Sequence, residues 1–373
     1  QSLKSATGLS APNFLIFCQC LALKGDEAAR SILESNVIQK IASVTDADVS
    51  GTLSDLRQTI RKRMLPESSD APITRETVIT WFKAGDPMSL FPCASMLEKT
   101  NSPVPRKVVQ DLAEAVISSS LVCLEGRGGC GKTTTALNLA ASLPEGSQTI
   151  VFDCYGAGSY QDSSLSRHRP DEAFTQLSNE LALQTRIPFL IPHKENPNVA
   201  ASFRRRVELA SQILAEEAPK GFLVVIVDAA DNSVFAASKS TPPEQCFVHS
   251  FVRMSGLPKN IRFVVTSRSS RLATLKLPKE TPHVVCGPFE LSETEMFARK
   301  IWPDATDEQI EQFGFLSNQI PRVQATTASH AGDIDEALDL LRPNGKSLDD
   351  LFAAILRDSS LKLGGENILD NFC

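Results

Sequence analysis

No uninterrupted apolar stretch in this 373-residue chain approaches the roughly 18 residues that would mark a membrane-spanning helix. No signal-peptide pattern is recognisable at the start, so neither a membrane nor a secretory route is indicated. An excess of basic charge is also missing: 38 Lys and Arg face 44 Asp and Glu, for a net charge of −6. A broad surface built to coat phosphates needs the opposite balance, so charge does not point to nucleic acid as a partner of this segment. Histidines number only 5, and no Cys or His pair lies near Cys18 and Cys20 to complete a zinc site. Nine cysteines, an odd number at irregular spacings, include Cys123, Cys154 and Cys286 inside apolar runs. They read as free buried thiols in a reducing compartment, and hence a cytoplasmic location. Internal repeats and low-complexity segments are absent too.

What is present is ordinary globular composition, 42% hydrophobic and 22% charged, at a length suited to two or three domains. Within it one stretch stands out. Leu121–Leu124 is a short apolar run that reads as a buried strand. Gly126-Arg-Gly-Gly-Cys-Gly131-Lys132-Thr133 then gives the full G-x-x-x-x-G-K-[ST] pattern, followed by a helical rhythm at Ala136, Leu137, Ala140 and Leu143. Strand, loop and helix in that order are what a phosphate-binding loop requires. Glycines let successive N–H groups converge on one anion, and the helix beginning near Lys132 adds its positive end. Lys132 supplies a mobile charge for the β- and γ-phosphates, and Thr133 a hydroxyl for Mg²⁺. Gly126, Gly128, Gly129, Cys130, Gly131, Lys132, Thr133 and Thr134 are the candidate phosphate cradle.

Around that stretch the chain divides into four. Residues 1–85 read as a small helical module, with apolar faces at Phe14–Leu23, at Ala28, Ile32, Leu33, Val37, Ile38 and Ile41, at Leu53–Met64, and a capped helix over Thr74–Phe82. Residues 86–107 form a proline-punctuated linker. Residues 108–287 alternate helices with strands at Gln148–Asp153, Gly221–Asp228, Arg262–Arg268 and His283–Cys286, the pattern of a doubly wound α/β parallel sheet. The Gly221–Asp228 run is continuously apolar, as a strand buried on both faces should be. Residues 187–198 hold several structure breakers and read as a surface loop. From 288 to 373 the pattern is helical: 292–301 opening on Ser292-Glu-Thr-Glu295, then 307–315, 321–331, 334–341 and 348–356.

Ligands of open α/β sheets sit at the carboxyl ends of strands. Asp228 ends an apolar strand, a position from which a carboxylate can hold Mg²⁺ beside Thr133. Asp231, three residues on, either orients an attacking water or caps the next helix. Thr266, Ser267 and Arg268 end another strand, where Arg268 either senses the γ-phosphate or makes a surface salt bridge.

These residues resemble the STAND class of P-loop NTPases, in its NACHT-like branch, over about residues 100–345. The resemblance implies a sheet in which the P-loop strand is flanked by the Thr266-Ser-Arg268 strand rather than by its sequence neighbour. It implies that Val104-Pro-Arg106 contacts nucleotide through Arg106. Gly287–Glu295 would lead into a helical lid, and Pro321 would pack on adenine, with Gln319 standing where the family carries glycine. Phe152–Tyr160, Arg167-His-Arg169 and Asp228–Asn232 look closest to bacterial STAND proteins of anti-phage defence. There an effector precedes the NTPase and a repeat-rich sensor follows. Residues 1–85 would be the tail of an effector or a linker, with no nuclease pattern of paired acids and a lysine. With Gln1 as first residue and Cys373 as last, the chain is expected to be a segment of a longer one, lacking sensor, complete effector and winged-helix histidine. ATP and Mg²⁺ are the implied cofactors, slow hydrolysis the implied activity and a homo-oligomer the implied active state. The activating ligand is unknown, a phage protein being one candidate. Adenine agrees with the absence of an Asn-Lys-x-Asp segment.

Competing readings are a P-loop kinase, a nucleic-acid-dependent motor, and a scaffold that binds nucleotide without hydrolysing it. Residues 287–345 hold few arginines for a kinase lid. His168 reads as a solvated loop histidine or a phosphate contact. Arg204-Arg-Arg206 reads as a charged helix face or an oligomer contact. His249, His283 and His330 are isolated and read as structural.

Overall fold

The computed structural model describes residues 30–44, 49–63, 87–98, 103–162, 166–192 and 198–342. The helices expected at Thr74–Phe82 and 348–356, and Cys18 and Cys20, lie outside these residues. The chain divides into two compact units, Gln1–Asp70 and Ala71–Cys373.

In the first unit two helices are described, α1 (Arg30–Val44) and α2 (Val49–Arg63), joined by an Arg57–Glu34 ion pair at 2.7 Å. Of the apolar face expected on α1, Ile32, Val37 and Ile38 are all exposed, and at 3.6 residues per turn the latter two point about 140° and 240° away from the first. On α2, Leu53 is buried and Ile60 is exposed.

The second unit is built on five parallel strands: β1 (Leu121–Gly126), β2 (Gln148–Asp153), β3 (Leu223–Asp228), β4 (Ile261–Arg268) and β5 (His283–Val285). Their order across the sheet is β2-β3-β4-β1-β5. The P-loop strand therefore lies between β4 and β5, as the resemblance implies, and not beside β2. Register aligns the strand ends: Gly126 opposite Arg268, and Asp153 opposite Asp228. The polar residues that end the strands thus collect along one edge.

β3 shows why the sheet is buried twice over. Its side chains alternate, Leu223, Val225 and Val227 into one apolar core and Val224 and Ile226 into the other. Each such side chain contributes about 1.5–3 kcal/mol by leaving water. One face is covered by α5 (Pro170–Thr185), α6 (Val199–Glu217) and the short α8 (Phe247–Phe251), through stacked and edge-on contacts among Phe174, Phe203, Phe247 and Phe251. The other is covered by α3 (Lys107–Ser118) and α4 (Lys132–Asn138), the latter continuing as a tighter 3₁₀ turn to Ser142. α7 (Ala230–Lys239) follows β3 directly. On α5, Leu183 is 63% exposed, while Leu177 and Leu181 are buried.

Beyond the sheet, α9 (Leu291–Ile301), α10 (Asp307–Leu316), α11 (Pro321–Ala328) and α12 (Ile334–Leu341) enclose a separate core around Trp302, Phe313 and Leu338. The capping box of α9 is made by Glu290 and Glu293, two residues earlier than the Ser292–Glu295 expectation. A glutamate oxygen serves as well as a serine hydroxyl when the next residue is the first to turn helical. In the 187–198 segment Ile187 and Leu190 are buried, held by Asn179, whose amide nitrogen donates to the Leu90 and Leu190 carbonyls. Pro188, Phe189 and Asn198 are exposed, as a surface loop requires, and residues 193–197 lie outside the described set.

Candidate functional site

The glycine loop closes between β1 and α4. Gly126 is where β1 meets the end of β5, and a Cβ there would sit 2.3 Å from the Cys286 carbonyl oxygen. Gly131 takes φ +91° as it opens α4, a conformation other residues reach only with strain. The Lys132 ammonium donates back to the Gly126 and Arg127 carbonyls at 2.8 and 2.9 Å, and its partial burial lowers its pKa. Cys130 turns its side chain into the core, so only its backbone stays at the loop. Its carbonyl accepts from Arg106 Nη1 at 2.7 Å and from the Cys286 thiol at 3.2 Å.

Asp228 reaches the loop from β3. Its Oδ2 accepts from Thr133 Oγ1 at 2.8 Å, and its Oδ1 from Thr266 Oγ1 at 2.7 Å. The Thr266 hydroxyl in turn accepts the Ala229 N–H at 2.7 Å, so one β4 side chain fixes the carboxylate and the turn after it. Burial raises the Asp228 carboxyl pKa, and the two hydroxyl bonds pull the other way. Thr133 and Asp228 fit Mg²⁺ by their chemistry: two hard oxygen donors side by side, where this ion takes one or two carboxylates and completes its shell with phosphate and water. Among the described residues no group of three or more His, Cys, Asp or Glu could hold a metal, so a cage made wholly of such side chains is not offered there.

Asp231 does not cap α7, since that position belongs to Ala229 at φ +53°. Its buried Oδ1 accepts the Arg268 N–H at 3.4 Å. Its Oδ2 accepts no hydrogen bond and faces Arg268 Nε at 3.8 Å and Arg271 Nη1 at 3.7 Å. Arg268 is thus ion-paired within the chain, half of what was expected of it, and it also lines the cavity.

The cavity has a volume of about 550 Å³. Lys132, Thr133, Asp228 and Asp231 lie on its polar side; Val104, Phe289, Phe297, Ile301, Pro321 and Ala325 give an apolar wall. Gly128, Gly129, Gly131, Thr134 and Arg268 also line it, and Gly126 and Cys130 do not. Arg106 borders the cavity with all five N–H donors committed. They go to both Glu293 carboxylate oxygens, the Cys130 carbonyl, the Cys286 sulfur, and the Gly287 and Pro288 carbonyls. Its guanidinium also lies 5.0 Å from the Phe289 ring centre. With these bonds it ties the linker, the loop and the start of the lid together. Pro321 opens α11, and Gln319 before it holds φ +56°, which accounts for a glycine preference there.

Several wall residues were not singled out in the sequence: Tyr155, Asn232, Phe289, Phe297 and Arg322. Phe289 and Arg322 lie beside motif positions that were, and proximity to those was the only signal. His168 is not solvated and does not line the cavity. It is buried against Glu244 at 2.5 Å, with Arg169 on the same carboxylate. Of the arginine run, Arg204 pairs with Glu208 at 2.9 Å and Arg206 is buried. His283 pairs with Glu125 at 3.0 Å.

Residues 106–268, somewhat under half of the chain, match the family model described as Nephrocystin 3, N-terminal. The chain is similar in structure to a Walker-type ATPase of Pyrococcus abyssi, at 17% identity over 72% of this chain and 80% of that one, with a TM-score of 0.51. Weaker likenesses include the ORC2 protein of Aeropyrum pernix in its ADP form, at 13% identity over 74% and 79% of the two chains and a TM-score of 0.43. Another is a STAND protein with a tetratricopeptide-repeat sensor from Pyrococcus horikoshii, at 14% identity and a TM-score of 0.39, over 72% of this chain and 34% of that one. Comparison with curated protein sequences gives no match. Sheet order and glycine loop, with the likeness in fold, define the class, a P-loop NTPase in fold. Among the described residues no helix is long and apolar enough to cross a membrane.

Proposed function

We propose that this chain is an ATP-driven switch: it binds ATP with Mg²⁺, hydrolyses it slowly, and changes its self-association with the nucleotide it holds. One observation carries the reading. The Asp228 carboxylate, brought from a separate strand, lies 2.8 Å from the Thr133 hydroxyl at the wall of a cavity floored by the glycine loop and bordered by the lid. The apolar wall of Val104, Phe289, Phe297 and Pro321 suits a flat, weakly polar base.

In this reading the loop N–H groups and Lys132 hold the phosphates, and Thr133 and Asp228 hold the metal, which would neutralise phosphate charge and fix its orientation. Asp231 offers its unspent Oδ2 acceptor to a water. That water forms a bond to the terminal phosphorus as the bridging oxygen leaves with ADP, and its proton ends on phosphate or solvent. Arg268 and Arg271 lie beside Asp231, at 3.8 and 3.7 Å from its Oδ2. Assembly into a homo-oligomer in response to an activating ligand, in cytoplasmic anti-phage defence, is the wider role suggested by the Phe152–Tyr160 and Asp228–Asn232 segments.

The test is single-turnover hydrolysis with the wild type and Asp231→Asn, the purified protein's nucleotide identified by mass spectrometry, and particle size followed with and without ATP. Bound adenine nucleotide, turnover lost in the variant and ATP-dependent growth in size are expected. Tight binding without turnover would favour the scaffold, and turnover stimulated by nucleic acid would favour the motor.

A further inference from the structure

The cations around the cavity differ in what they already hold. Arg106 has no N–H left, Arg268 rests on Asp231, and Lys300 has contacts of its own. Lys132 is folded onto the loop carbonyls. Arg322 stands apart. It lines the cavity and is exposed, and among the described residues its guanidinium makes no hydrogen bond or ion pair. Its backbone is nevertheless pinned: the Arg322 N–H donates to the Gly129 carbonyl at 3.1 Å. Its Cβ lies 3.0 Å from where a Cβ on Gly129 would sit, and its Cδ 3.6 Å. Beside it the Cβ position of Gly128 has nothing within 4 Å, so there is room next to the loop for ligand atoms.

We propose that Arg322 is the lid's ligand for the outer phosphates of the bound nucleotide. The proposal rests on the ATP reading above and adds to it a residue that contacts substrate from the helical side. The side chain springs from α11 beside Gly129 of the loop and lines the cavity. Its planar fork matches two phosphate oxygens at once, which an ammonium cannot do. A triphosphate carries more charge to that position than a diphosphate. Arg322 therefore makes the fit of α11 on the loop depend on which nucleotide is bound.

The test compares wild type, Arg322→Ala, Arg322→Lys and Lys132→Ala in equilibrium binding of a non-hydrolysable ATP analogue and of ADP. Amide hydrogen exchange of α11 is followed in parallel. Loss of a charge-assisted contact should weaken the ATP analogue about 10- to 100-fold in Arg322→Ala. ADP should weaken less than the analogue, Arg322→Lys should fall between, and the analogue should slow exchange of α11 only when the arginine is present. Wild-type affinities in Arg322→Ala, with binding lost in Lys132→Ala, would overturn the arginine's role and leave the site reading intact. Equal weakening of both nucleotides would overturn the assignment to the outer phosphates. Undiminished binding in Lys132→Ala would overturn the reading beneath.

Discussion

Asp228→Asn should separate function from stability. The carboxylate is 2% exposed and accepts from two threonine hydroxyls. Each of those bonds to a charged group contributes about 1.5–3 kcal/mol, set against a burial cost of several kcal/mol for the ion. The cost is the larger, because burial raises the pKa above the ordinary 3.8 in spite of both bonds. Asparagine keeps the shape, still accepts from Thr266, and lets the Thr133 hydroxyl turn round to accept. The nucleotide-free variant should therefore be more stable than wild type at pH 7 by on the order of 1 kcal/mol, or about 2–4 °C in melting temperature. The sign with pH follows from the raised pKa. The folded chain keeps a proton here that the unfolded chain has released, so wild-type stability falls as pH rises from 3.8 through the raised value. The advantage of the variant should then be larger at pH 7 than at pH 4. Thermal melts without nucleotide at both pH values read this directly, and Mg²⁺-supported hydrolysis in the same variant should be lost. A variant less stable than wild type at pH 7, or an advantage unchanged between the two pH values, would refute the reasoning.

Arg106→Ala should cost about 3–5 kcal/mol in urea unfolding, because it leaves the nearly buried Glu293 without its partner. Arg106→Lys should recover little of that, since one ammonium cannot serve three carbonyls, a thiol and a carboxylate at once. At Gln319, φ +56°, a valine should destabilise by on the order of 1–2 kcal/mol while glycine stays near neutral, its relief of strain offset by greater freedom in the unfolded chain. Glu244 is held at about 2 by hydrogen bonds from Arg169 and then His168. Its contribution to stability is present above the ordinary 4.5 and lost as pH falls toward 2, so Glu244→Gln should flatten wild-type pH dependence in that window.

The strands and the loop were legible because their signals are local. An apolar run such as Leu223–Val227 bounded by Asp228 has few alternative readings, and the glycine spacing around Lys132 fixes a backbone path. Asp228 was legible for the same reason. Asp231 was not resolved between cap and ligand, because the choice depends on Ala229 taking a left-handed conformation with its N–H held by Thr266 from another strand. Arg106 drew attention through the resemblance of Val104-Pro-Arg106, yet its hydrogen bonds go to carbonyls at 130, 287 and 288, far along the chain. His168 looked solvated in a polar run, and only Glu244, 76 residues on, buries it. On α1, counting apolar residues is not the same as following their angles: Ile32, Val37 and Ile38 spread around the helix and are exposed.

The central claim is that the glycine loop and Lys132 hold a nucleotide's phosphates. Calorimetric titration of Mg²⁺·ATP into wild type and Lys132→Ala, with circular dichroism to check that both are folded, tests it most directly. Saturable one-site binding in the wild type and a loss of more than about a hundredfold in the variant, roughly 2.7 kcal/mol, are the expected result. Equal affinity in two equally folded proteins would contradict the claim.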